Sequence, residues 1–136
     1  MRFMLLVIPA GYTTAAPDTV PSADAVEKMM RFNESLQQAG VLLALDGLHP
    51  PSSGARVYFD TGAPVVVDGP FAEAKEVLGG YFMLQVKSRA EAVEWARRCP
   101  LNKGDILEVR QVQEMEDFPA DVQEAAKSDV DFTKKP

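Results

Sequence analysis

Gly79–Val86 reads GGYFMLQV, Ser88–Pro100 reads SRAEAVEWARRCP, and Asp105–Val112 reads DILEVRQV. In the first run Phe82, Leu84 and Val86 alternate with Tyr81, Met83 and Gln85, the two-residue period of a β-strand. Both of its faces are largely apolar. In the second run Ser88-Arg89-Ala90-Glu91 is a capping box, in which hydroxyl and carboxylate satisfy the first free backbone N–H groups of a helix. That helix carries Ala92, Val93, Trp95 and Ala96 and stops near Cys99 and Pro100. The third run is a strand again, which makes the whole a β-α-β unit.

A similar unit lies at the other end of the chain. Met1–Ile8 is an apolar run that stops at Pro9 and Gly11 without a small-residue cleavage pattern, so it reads as a first strand and not as a signal peptide. Ala10–Pro21 has loop chemistry. Ser22 is the expected N-cap of a helix with Asp24 in its first turn, a stripe of Val26, Met29, Phe32 or Asn33, and Leu36, and a stop at Gly40. Val41–Leu45 reads as a short buried strand. Leu48 to Pro51 turn the chain. Ala55–Phe59 alternates Val57 and Phe59 against Arg56 and Tyr58, as a half-buried strand does, and Asp60-Thr61-Gly62 joins it to β-branched Pro64–Val67 in a hairpin.

The order β-α-β, hairpin, β-α-β predicts an α+β fold, a ferredoxin-like antiparallel sheet with two helices on one face and an inserted β-hairpin. The second sheet face, with Tyr81 and Met83, then requires cover. A homodimer with two sheets packed face to face supplies it. Residues 1–113 form this domain, and 114–136 form an acidic tail with a short helix expected around Asp121 to Lys127.

Composition narrows the function classes. The chain has 136 residues, 46% apolar and 25% charged, with 14 Lys and Arg against 20 Asp and Glu and a net charge of −6. These are values of an ordinary globular domain. An acidic chain without a basic stripe is not built for nucleic acid. One Cys, Cys99, and one His, His49, make neither an internal disulfide nor a Cys/His zinc site. No apolar run reaches the length of a membrane span. The expected location is the cytoplasm, where a free thiol persists. No phosphate loop, nucleotide fingerprint or nucleophile elbow is present, so no organic cofactor is expected.

The densest polar cluster is Asp68–Glu76, DGPFAEAKE, followed by Gly79-Gly80-Tyr81. With Leu48-His49-Pro50, Gly54–Val57, Arg98-Cys99-Pro100 and Glu108-Val109-Arg110, it resembles the DGPF branch of the YCII-related proteins. The resemblance implies a ferredoxin-like fold that dimerises into an α+β barrel. It also implies, in related proteins, a His near the first helix and an Asp in a run after the second helix. Here the first helix holds no His and the late run is Arg98-Cys99-Pro100, so that dyad does not carry over. Genes of the family often neighbour sigma-factor genes, which implies a regulatory or sensing role.

Several side chains are candidates for chemistry. Asp68, at a strand end, can serve as a general base or ligand anchor; equally, its carboxylate can bond the Asp-Gly-Pro turn. Glu73 and Glu76, three apart, would share a face on a helical turn as an acid and base pair or as ligands of a divalent ion, or form a solvated loop. Lys75 can hold an anionic substrate or stay solvated. Arg56 is a ready partner for any buried carboxylate. His49 is suited to acid/base work near neutral pH, or to closing its turn. Tyr81 and Tyr58 can present hydroxyls to a dimer cavity or pack in the core. Cys99 reads as structural, because the C-terminal helix dipole beside it opposes a thiolate. The expected site is a small-molecule pocket between the open sheet face and the 68–76 loop, with Asp68, Glu76 and His49 as catalytic groups. Glu73, Arg56, Lys75 and Tyr81 would bind substrate, with neither metal nor cofactor. The competing reading is a non-enzymatic module that binds a ligand or a protein.

Overall fold

The computed structural model describes residues 1–127. Six strands and three α-helices form in the order β1 (Arg2–Ile8), α1 (Ala23–Gln38), β2 (Leu42–Gly47), β3 (Ala55–Tyr58), β4 (Val65–Asp68), β5 (Gly80–Gln85), α2 (Arg89–Arg97), β6 (Ile106–Gln111) and α3 (Ala120–Ala125). The main sheet has the order β2-β5-β1-β6, with every neighbouring pair antiparallel. Leaving the hairpin aside, this is the ferredoxin-like strand order. β3 and β4 pair only with each other, from Ala55 opposite Asp68 to Tyr58 opposite Val65.

Both helices begin where the caps require. The Ser22 hydroxyl accepts from the Ala25 N–H, and that of Ser88 from the Glu91 N–H. The Glu91 carboxylate reaches back to the N–H of Lys87 at 2.8 Å, one residue earlier than an ideal capping box. α1 is followed by Gly40 in the left-handed region, φ 74°, as expected of its C-terminal stop.

The core lies between the helices and one sheet face. Leu5, Leu36, Leu84 and Ala92 are fully buried, with Phe3, Phe32, Val41, Phe82 and Val86 beside them. Phe32 of α1 meets Phe82 of β5 edge to face, ring centroids 5.5 Å apart, a geometry that aromatic quadrupoles favour. Trp95 and Cys99 pack against this core. Burial, and secondarily the charge of Asp105, pushes the Cys99 thiol up to about 11. It is therefore protonated and unreactive at neutral pH.

Several expectations are corrected. No closed barrel is present among the described residues: β2 and β6 stay open edges of a four-stranded sheet, separated by β5 and β1, and the hairpin bridges neither. Barrel closure needs each edge to find a hydrogen-bonded neighbour, and four strands give too small a circuit. The Val41–Leu45 run is not buried throughout, because β2 is an edge; Leu43 is exposed. In α1, Val26 is exposed, and burial concentrates at Phe32, Asn33 and Leu36. Around β3 the expected half-burial is not seen: Val57, Tyr58 and Phe59 are all exposed, and Arg56 is the half-buried residue among them. The short tail helix is α3, and the rest of the expected tail, 128–136, lies outside the described residues. No helix among the described residues is long and apolar enough to cross a membrane.

Candidate functional site

The site lies at the sheet end where β1 and β2 finish and β5 begins. Val7 and Gly47 both stand opposite Gly80 there. The Gly79 N–H donates to the Val7 carbonyl and the Leu48 N–H to the Gly79 carbonyl, at 2.8 and 2.9 Å. A Cβ at Gly79 would lie 2.4 Å from the Pro9 ring, so the β1 exit packs here only against glycine. The chain leaves β2 through Leu48 and His49 into a 3-10 turn, Pro51–Ser53. That turn is tied to the loop after β1 by Ser52 Oγ donating to the Ala15 carbonyl at 2.7 Å.

The 68–76 loop is pressed onto the same turn. The Gly69 N–H donates to the Gly54 carbonyl at 2.9 Å, and a Cβ on Gly69 would fall 1.7 Å from the Pro51 carbonyl oxygen. Any side chain at this contact forces the loop to shift, since the atoms a Cβ would meet belong to the backbone. The Gly69-Pro70 bond is cis and leads into Phe71, whose ring lies beneath Arg56. The guanidinium carbon is 4.2 Å from the ring centroid, a cation–π contact across the base of the hairpin.

These contacts border an open cleft of about 580 Å³. His49, Arg56, Phe71 and Glu76 line it, with Leu48 and Val77 contributing apolar wall. Three of the residues singled out in the sequence thus line one cleft: a half-buried cation, Arg56, with an exposed carboxylate, Glu76, and an exposed imidazole, His49. None of the salt bridges among the described residues involves Arg56 or Glu76.

The other candidates stand elsewhere. Asp68 is exposed at the end of β4, and Glu73 and Lys75 are exposed on the loop; none lines this cleft. Residues 73–76 are not helical, so Glu73 and Glu76 do not share a helical face. Tyr81 lies on the open sheet face, not in the cleft, and its hydroxyl donates to Asp46 Oδ2 at 2.7 Å. That bond to the carboxylate, helped by partial burial, raises the Tyr81 pKa above the ordinary phenol value. Tyr58 is exposed on the hairpin. Among the described residues, no group of three or more His, Cys, Asp or Glu side chains is placed to hold a metal ion.

Two contributors escaped the sequence reading. Phe71 was visible only as a motif letter, because its pairing with Arg56 crosses the hairpin base. Tyr12, in the loop after β1, donates its hydroxyl to the Leu48 carbonyl and so steadies the segment that carries His49. Its hydroxyl pKa is raised by burial.

Residues 1–116 match the model of the YCII-related domain. The chain belongs to the YCII-related family. It is also similar to an uncharacterised protein of Rhizobium meliloti (strain 1021), 35% identical over 80 residues, which cover 56% of this chain and 64% of that protein. The chain thus spans just under two thirds of the relative's length. In this YCII-related chain the matched region contains β1 to β6 and the whole cleft.

Proposed function

We propose that this YCII-related chain is a homodimer that binds a small molecule in the cleft of His49, Arg56 and Glu76. The presence of all three in the lining of one open cleft of about 580 Å³ supports the reading. Arg56 fixes an anionic group of the ligand, and its seat on Phe71 holds the guanidinium in place. Glu76 and His49 supply a carboxylate and an imidazole able to exchange protons with the ligand without an organic cofactor. Asp68, Glu73 and Lys75 receive no ligand contact in this reading, since they stand outside the cleft. The compartment is the cytoplasm, consistent with the free thiol of Cys99.

The dimer rests on the second sheet face. Met4, Leu6, Tyr81 and Met83 point away from the core and remain only half-covered, and Ile106 is exposed. A second copy would cover them.

A small-fragment screen by protein-observed NMR tests the site. Binding fragments are expected to shift amides of residues 48–56 and 76–78, and His49→Ala with Arg56→Gln should abolish those shifts while the remaining spectrum is unchanged. Shifts confined to other surfaces would overturn the assignment. Light scattering tests the dimer, for which a mass of twice the chain is expected. The alternative, a non-enzymatic interaction module, is favoured by one observation: the hairpin exposes apolar residues on both faces, Val57 and Val66 on one and Tyr58 and Val65 on the other. Under that reading fragments would bind without any turnover, and hairpin substitutions would matter more than His49→Ala.

A further inference from the structure

The polar cleft has a neighbour. A second cavity, of about 460 Å³, lies beyond Leu48 and His49, walled by Pro9, Tyr12, Val20, Pro21 and Gly79. Leu48 and His49 line both cavities, so the two border the same Leu48-His49 segment. The second contains no Asp, Glu, Lys or Arg in its lining. Its one phenol, Tyr12, already donates its hydroxyl to the Leu48 carbonyl, so that side chain offers the cavity its ring more than a free polar group.

The charges of the first compartment are arranged differently. Arg56 has no carboxylate within 4.0 Å among the described residues, and its guanidinium is spread over Phe71. An arginine held in this way keeps a planar edge of N–H donors for a planar, bidentate acceptor. Glu76 lines the same cleft, so its charge opposes a polyanion more strongly than a single carboxylate.

We propose that the site takes a small monocarboxylic acid bearing an apolar, ring-sized group. The carboxylate lies on Arg56, the apolar group fills the Tyr12 compartment, and the atoms between them pass His49. This rests on the cleft being a ligand site and adds the class of ligand.

The test uses the full chain and three probes: acetate, 3-phenylpropionate and 3-phenylpropionamide, titrated by NMR with amide shifts mapped onto both compartments. Phenylpropionate is expected to bind at least about tenfold more tightly than acetate, because only it removes a ring from water. Arg56→Gln should weaken phenylpropionate about tenfold and leave the neutral amide unchanged. Val20→Ser, a neutral change at a position 77% exposed and therefore safe for folding, should weaken phenylpropionate and its amide alike by removing apolar wall. Glu76→Gln should strengthen both acids a few-fold.

Equal affinity for acetate and phenylpropionate, or indifference of both ring-bearing probes to Val20→Ser, would overturn the two-compartment proposal while leaving an anion site on Arg56 intact. Binding of the amide as tight as that of the acid would overturn the carboxylate assignment. Absence of any shift in residues 48–56 and 76–78 with all three probes would remove the ligand site together with the proposal.

Discussion

The sheet-and-helix body and the segment inserted between β2 and β5 contain similar proportions of apolar residues and use them in opposite ways. In the body, Phe3, Leu5, Phe82 and Leu84 are sealed beneath α1 and α2. In the insertion, Val57, Phe59, Val65, Val66 and Val67 are all exposed, and β3 and β4 bond to nothing but each other. A lone two-stranded ribbon has little independent stability. The insertion is held by a few contacts at its base, where Gly69 meets the 51–54 turn and Arg56 meets Phe71. The difference teaches that the body supplies stability and the insertion is a lightly anchored arm whose base forms the candidate site.

The comparison breaks first in the body. Leu84 is fully buried, so Leu84→Ala is expected to cost about 2 to 5 kcal/mol. Urea unfolding measures it, and a loss well under 1 kcal/mol would mean that the body is not the source of stability.

At the arm's base the effect should be smaller and local. Gly69→Ala puts a methyl group into the Pro51 carbonyl, and the loop must move away at a cost of about 1 to 3 kcal/mol. Hydrogen exchange should then accelerate in 48–78 and stay unchanged in β1, β5 and α2. Uniform acceleration would show that arm and body unfold as one unit.

The body was legible in the sequence and the site only in pieces, for a physical reason. Phe82, Leu84 and Val86 are buried at the strand period, and Ser22 and Ser88 cap the helices they announce; these signals are local and the sheet confirms them one element at a time. Period alone does not say which face is covered when nothing packs on a ribbon, so Val57 and Phe59 read as inward and are exposed. The same limit applies to the open sheet, whose alternation at Tyr81 and Met83 is compatible with a closed barrel or with free edges. Asp68 drew attention as the head of its motif. The work of that motif lies instead in Gly69 and Phe71, whose partners Pro51 and Arg56 are distant in sequence. His49, Arg56 and Glu76 were each legible as reactive types, but their common cleft depends on how the loop folds back, which no spacing reports.

A cap sharpens the contrast further. Ser88→Ala removes the acceptor for the Glu91 N–H and is expected to cost about 1 kcal/mol, read as a lower urea midpoint with an unchanged slope. A change in slope would indicate that α2 frays from the body rather than unfolding with it.

The smallest effect belongs to the ribbon itself. Val66 is 65% exposed in the middle of β4, so Val66→Thr removes little buried apolar surface and keeps the β-branched shape that a strand prefers. Its effect on chain stability should lie within about 0.5 kcal/mol. That expectation holds only while nothing covers the ribbon. If unfolding becomes less stable by more than that, and the difference grows with protein concentration, Val66 is buried in an assembly and the arm is a contact surface. If the difference between wild type and variant stays small and the same at every concentration, the arm's apolar faces are open to solvent, and the weight of function falls on the cleft at its base.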